Sequence, residues 1–219
     1  PVAALHRMDQ QWQVVAGERS QLFDAIVMAL PAHQAAPLLQ DVDAELSALL
    51  SQIEYASAAV VPLAFEHSQV RRMAHGFGFV VPAAENRRIL AGSFSSIKFE
   101  HRAPDNQLLA RVFIGGALQP ELLEREDDEL IRLAIEELRQ LLHIDGDARF
   151  AKVIRWRDAM PQYHLGHVER VARIRACVSR VDGLALAGNA YRGVGIPMCI
   201  ASAESAADEL LKDLTSNEI

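Results

Sequence analysis

The stretch Gly183–Ile200, GLALAGNAYRGVGIPMCI, decides how this chain is read. LALA is a short apolar strand, the glycines at 188, 193 and 195 flank a turn, and Pro197 stands where proline is favoured, in the first turn of a helix. A helix that starts there presents free N–H groups and the positive end of its dipole, a seat for an oxyanion or an electron-rich carbonyl. Taken by spacing alone, the loop is either a ligand seat or a connection that uses glycine only to turn. Neither GxGxxG after an opening strand nor GxxxxGK[ST] occurs in the 219 residues, so neither nucleotide fingerprint is complete. The loop reads as one half of a site.

Outward from the loop, Gly166–Arg180 has a helical pattern. Val168, Val171, Ile174 and Val178 are expected inward, with Glu169, Arg170, Arg173 and Arg175 outward. Beyond the loop, Ile200, Ala203, Ala207, Leu210, Leu211 and Leu214 are expected as the buried face of the last helix. At the other end, strands are expected over Val2–Met8, Trp12–Ala16 and Phe23–Leu30, the last a continuous buried run. Helices follow over His33–Gln40 and Val42–Ile53. The middle predicts strands at Ser57–Phe65, Gly78–Val81, Arg88–Phe94, Leu108–Ile114 and Phe150–Trp156. A helix over Asp128–Leu142, with Leu130, Ala134, Leu138 and Leu142 four apart, interrupts them. The organisation is α/β, then β-rich, then α/β, which places one mostly antiparallel sheet as an insertion in another domain.

Half of the residues are hydrophobic and 23% charged, the balance of a chain that buries a core. A net charge of −7, with no run of Lys or Arg longer than two, argues against a nucleic-acid partner. No apolar run approaches a membrane span and no signal peptide opens the sequence. Cys177 and Cys199 lie in separate apolar patterns and read as buried small hydrophobes in a reducing, cytoplasmic compartment. The sequence begins without Met and already strand-like, which suggests a C-terminal portion of a longer chain.

Other chemistry-bearing residues have plainer readings. His164 and His167 lack a third ligand at metal spacing, EREDDE (Glu124–Glu129) stands where a helix N-terminus wants carboxylates, and Tyr163 reads as a strand-end packing residue.

The loop and its flank, LALAGNAYRGVGIPMCIASAESAA, resemble the C-terminal signature of the protoporphyrinogen oxidase family within the flavin-containing amine oxidases. FDAIVMALPAH (Phe23–His33), GFGFVVPAAENRRILAGSF (Gly76–Phe94), RAPDNQLLARVFIGGA (Arg102–Ala117) and AMPQYHLGHVERV (Ala159–Val171) are similar to other family stretches, in the family's order. The resemblance implies an α/β (α+β) fold. Residues 1–53 and 166–219 would be returning parts of an FAD-binding domain, and residues 54–165 a mostly antiparallel substrate-binding domain with helices. It implies FAD as cofactor, with Pro31, Gly188, Asn189, Gly193, Val194, Gly195 and Ile196 near it. Where the wider superfamily often has an acidic residue, this chain has Asn189, which puts one ribityl contact in question.

The same resemblance implies a porphyrinogen as substrate, protoporphyrinogen IX or coproporphyrinogen III. Gly78, Val80, Ser93 and Phe113 would line its cavity, and Arg192 is a candidate for a substrate carboxylate or a solvated loop residue. No side-chain catalytic base is implied. The acceptor is oxygen or another oxidant, and any peripheral membrane association would run through a segment outside these residues. The dinucleotide-binding half would also be missing, so residues 1–219 alone are expected to hold no stoichiometric flavin. An amine or carotenoid oxidase and a flavin-free porphyrin-binding fragment are the alternatives.

Overall fold

Alternating side chains in the first 23 residues form an antiparallel meander of β1 (Ala4–Met8), β2 (Gln11–Ala16) and β3 (Arg19–Phe23). The computed structural model describes residues 1–72 and 76–216. No strand was expected at β3, because RSQLF is exposed at every position and carries no inward period. The single buried strand expected over Phe23–Leu30 is corrected. Phe23 ends β3, and only β4 (Ile26–Met28) continues, with Val27 and the following Leu30 exposed. Next come α1 (Ala32–Leu38) and α2 (Ala44–Ser51). The Asp43 carboxylate accepts the Leu46 N–H at 2.8 Å and caps α2, so Val42 lies outside the helix it was expected to open.

The chain divides into two units, parting at 55/56 and 159/160 where 53/54 and 165/166 were expected. Residues 56–159 are built around β5 (Tyr55–Glu66), β6 (Gly78–Val80), β7 (Ala91–Phe94), the short α3 (Ser95–Lys98), β8 (Gln107–Gly115), α4 (Asp127–Leu142), β9 (Phe150–Ala151) and β10 (Ile154–Pro161). The sheet order is β10-β5-β8-β7-β6, with β9 also paired to β5. Period two sends Val61, Leu63 and Phe65 of β5 and Ala110, Val112 and Ile114 of β8 to one face. There they pack with Leu130, Ala134, Leu138 and Leu142 of α4.

The acidic run is a helix start, since Glu126 and Glu129 form a capping box at α4. Two expected strands change. The one over Arg88–Phe94 begins only at Ala91, because Arg87 and Arg88 instead face the buried Glu137 of α4, at 2.9 and 3.4 Å. The one over Phe150–Trp156 is split between β9 and β10.

From Met160 the chain rejoins the first unit through α5 (His167–Val178), β11 (Leu184–Leu186) and α6 (Ile196–Ser216). β11 pairs with β4 in parallel, Leu184 opposite Ile26 and Leu186 opposite Met28. The fully buried Trp12 donates its indole N–H to the Asp182 carbonyl at 3.2 Å, tying the meander to the turn before β11. Val168, expected inward, is 78% exposed, because α5 turns His167, Val171, Ile174 and Cys177 into the core. On α6 the expected face is also corrected. Ala206 and Leu210 are buried with Ala185 and Ala187, while Ile200, Ala203, Ala207, Leu211 and Leu214 are exposed. The small Ala185 and Ala187 accept one of two apolar stripes on that helix.

Two glycines set how closely β6 and β7 approach. A Cβ on Gly78 would lie 2.3 Å from the Gly92 carbonyl oxygen, and one on Gly92 would lie 2.4 Å from the Phe79 ring. Gly92→Ala is therefore expected to cost about 1–3 kcal/mol of stability, read from urea midpoints. In a Phe79→Ala background the same substitution is expected to cost clearly less, because the atoms it strikes are gone.

Candidate functional site

Parallel pairing brings the C-terminal ends of β4 and β11 to one edge, and the Ala187 N–H donates to the Met28 carbonyl at 3.0 Å. Pro31 and Gly188 therefore leave the sheet on the same side, outside the strand C-termini, where open α/β sheets hold ligands. Pro31 precedes α1, and its carbonyl accepts the N–H groups of Gln34 and Ala35 at 2.9 Å each. The Ala32 N–H donates to the Tyr55 hydroxyl at 2.8 Å, which fixes the other side of that turn.

Gly188 has φ +127°, and a Cβ there would meet nothing within 4 Å, so its conformation needs glycine while the space beside it is open. Its N–H donates to Ser202 Oγ at 3.2 Å. The Asn189 carbonyl accepts the Tyr163 hydroxyl at 2.6 Å, and the Tyr163 ring stacks on His167 with centroids 3.9 Å apart. Gly193 has φ +86°, with Met198 packed against the position of its Cβ at 2.9 Å.

Val194, Gly195 and Ile196 are exposed. The Gly195 carbonyl accepts the N–H groups of Met198 and Cys199 and so begins α6. Among the described residues the backbone N–H groups of Val194, Gly195 and Ile196 donate to nothing. They are the unspent donors of a helix 21 residues long. Such a donor set fits the electron-rich edge of a flavin or another anion.

Arg192 is exposed and has no ion pair among the described residues. A cavity of about 700 Å³ runs beside the loop, lined by Tyr191, Arg192, Met198 and Ser202 with parts of α5 and α6, but not by Gly188 or Val194–Ile196. Below the loop lie buried polar groups. Burial pushes the Tyr191 hydroxyl far above its ordinary value and holds His167 below its own. Among the described residues, both ring nitrogens of His167 and the Tyr191 hydroxyl are without hydrogen-bond partners. His164, by contrast, is exposed and faces Glu54 at 3.2 Å, so the two histidines serve different surroundings. Burial raises the Cys177 thiol, which suits a packing role, and Cys199 is partly buried.

In the other unit the register is decisive. Gly78 lies opposite Ser93, which lies opposite Arg111; Val80 lies opposite Ala91, which lies opposite Phe113. On β5, Pro62 and Val60 extend the same two rows. All four residues expected for the substrate thus share one face of the sheet, the face away from α4. Val80 is 82% exposed there, and Gly78 is accounted for by strand approach alone.

Arg111 joins this face without having been singled out in the sequence. The signal was available, as a cation inside the apolar strand LLARVFIG. Ser202 and Tyr55 were also passed over, and nothing in their spacing points to the loop they brace.

The family model for flavin containing amine oxidoreductase matches residues 1–211. A coproporphyrinogen III oxidase of Propionibacterium freudenreichii is 35% identical over 86% of this chain and 35% of its own length. That of Bacillus subtilis is 31% identical over 88% of this chain and 41% of its own. A solved structure from Exiguobacterium sp. 255-15, assigned as a protoporphyrinogen oxidase, superposes with a TM-score of 0.82 at 27% identity, covering 97% of this chain and 46% of that one. The chain thus spans less than half the length of the relatives it matches.

Tyr163→Phe is expected to remove about 1 kcal/mol of stability and to speed amide exchange across residues 188–193, since it deletes only the hydroxyl held by Asn189. His167 makes a prediction of opposite sign to the usual salt-bridged histidine. Its folded form resists protonation, so stability is complete above an unfolded-state value of about 6.5 and declines as pH falls below it. His167→Gln is expected to flatten that decline in urea midpoints taken between about pH 7 and pH 5.

Proposed function

The chain belongs to the flavin containing amine oxidoreductases, and on that premise we propose that it serves the FAD-dependent oxidation of a porphyrinogen to its porphyrin in haem synthesis. Coproporphyrinogen III comes first as substrate, because relatives at 31% and 35% identity carry that name, and protoporphyrinogen IX second. Since the chain spans only part of those relatives, the activity belongs to the protein as a whole.

The observation that carries the proposal is the common face of Gly78, Val80, Ser93 and Phe113. Four strands at about 4.8 Å spacing make that face about 14 Å wide, and small or apolar side chains suit a broad macrocycle held by shape and burial. Phe113 offers an aromatic surface to it. No side chain acts as catalytic base on this reading.

Residues 1–55 and 160–219 serve the cofactor and residues 56–159 the substrate. Pro31, Gly188 and Asn189 lie toward the ribityl and phosphate end, with Gly193 shaping the turn. The N–H groups of Val194, Gly195 and Ile196 face the pyrimidine edge and favour negative charge there. When bound, the flavin supplies a hydride acceptor, renewed by oxygen or another oxidant. Arg192 stays in contact with solvent or meets a substrate carboxylate. Among the described residues no helix is long and apolar enough to cross a membrane. A cytoplasmic location, with any membrane association peripheral, is part of the same proposal.

The protein expressed over its full natural reading frame and supplied with FAD is expected to convert coproporphyrinogen III to fluorescent porphyrin with uptake of oxygen. Oxidation of benzylamine with no porphyrin formed would overturn the proposal in favour of an amine oxidase.

A further inference from the structure

Arg111 stands in the middle of β8, an interior strand, flanked on its own face by Leu109 and Phe113 and opposed across the ladders by Ser93 and Pro62. None of these neighbours carries a charge. Among the described residues its Nε is buried without a hydrogen-bond partner, and its one polar contact is Nη2 to Ser93 Oγ at 3.4 Å. Several other arginines of the same unit meet carboxylates: Arg87 and Arg88 meet Glu137, Arg71 meets Asp145, and Arg155 meets Asp127.

A guanidinium presents five donors in a planar fork that matches a carboxylate, and it stays charged at any physiological pH. Leaving it half-buried in a sheet face with one long contact is unfavourable unless something else supplies the acceptor. Packing does not explain the choice. The neighbouring positions on that face are Gly, Ala, Ser, Val, Leu, Pro and Phe, and the core face of the same strand is wholly apolar.

We infer that Arg111 is a substrate-binding residue, receiving a propionate carboxylate of the tetrapyrrole laid across the Gly78–Ser93–Arg111 row, with Ser93 Oγ as its second donor. The inference rests on the porphyrinogen reading above and adds the group that orients the macrocycle on that face. Apolar contacts let a nearly symmetric ring bind in several rotations. One fixed cation restricts it to those that place an acidic arm at Arg111. The arrangement also favours substrates rich in carboxylates over uncharged rings of the same size.

The probes are coproporphyrin III, which is stable in air, and its tetramethyl ester, which has the same ring without charge. Binding to the full-length flavin-loaded protein is followed by the Soret band in the same dilute detergent. Wild type is expected to prefer the free acid at least tenfold. Arg111→Gln is expected to lose that preference while binding the ester as before, and Arg111→Lys to retain part of it. Ester binding reports that each variant is folded. An undiminished preference in Arg111→Gln overturns the inference and leaves the porphyrinogen reading standing. Failure of the wild type to bind either compound overturns both.

Discussion

The parallel pairing of β4 with β11 is the contact on which the first unit depends. It joins residues 26–28 to residues 184–186, so the whole of the second unit is strung between its partners. A parallel pair needs a long crossover and gains nothing until that loop is closed. What makes the closure specific is the fit around it. A Cβ on Gly183 would lie 2.7 Å from the Asp24 carbonyl, the Ile26 N–H reaches the Gly183 carbonyl at 2.8 Å, and Trp12 donates to Asp182. Once the pair forms, the turns after Met28 and Leu186 are necessarily neighbours, and the glycine loop acquires the α1 turn as its other wall.

The second unit is organised by a different constraint, alternation. A strand with one face in the core has every second residue left over; here those around the Gly78–Ser93–Arg111 and Val80–Ala91–Phe113 rows are small or apolar apart from Arg111, and the polar pair Glu66 and Gln107 closes the far end of the face. The tight approach of β6 and β7 at Gly78 and Gly92 makes the face continuous. The pairing of Arg87 and Arg88 with Glu137 fastens the segment before β7 to α4 on the opposite side. Core face and outer face are thus two readings of the same strands, and neither can slip register without exchanging with the other.

Much of this was legible beforehand. The helix α4 lies where the pattern puts it because it has a single apolar face, and β5 and β8 lie where their long β-branched and apolar runs put them. Segments with two candidate faces were misread. In α6, both the Ala206–Leu210 stripe and the Ile200–Leu211 side are apolar, and only the small alanines flanking and within β11 decide between them. In Phe23–Leu30, length of apolar run suggested burial, yet a three-residue strand at this edge leaves Val27 and Leu30 exposed. At α5, Val171 and Ile174 are buried as expected, but the stripe runs on through His167 and Cys177 and leaves Val168 outside it.

The site divides along the same line. Backbone-built features announce themselves, since glycine and proline at a strand-to-helix turn have few other uses, and the Gly188–Ile196 loop has the shape they suggest. Side-chain features depend on neighbours that are remote in sequence. Tyr163 holds the Asn189 carbonyl from 26 residues away, and Ser202 holds the Gly188 N–H from 14. Two arginines, one in each unit, show the difference most plainly. Arg192 draws notice because it sits among glycines, but its surroundings are water and a neighbouring groove. Arg111 looks ordinary until the ladder places Ser93 and Pro62 beside it, and only then does the absence of any carboxylate among those neighbours acquire meaning. A charge is informative through what it faces, and that is set by register rather than by sequence proximity.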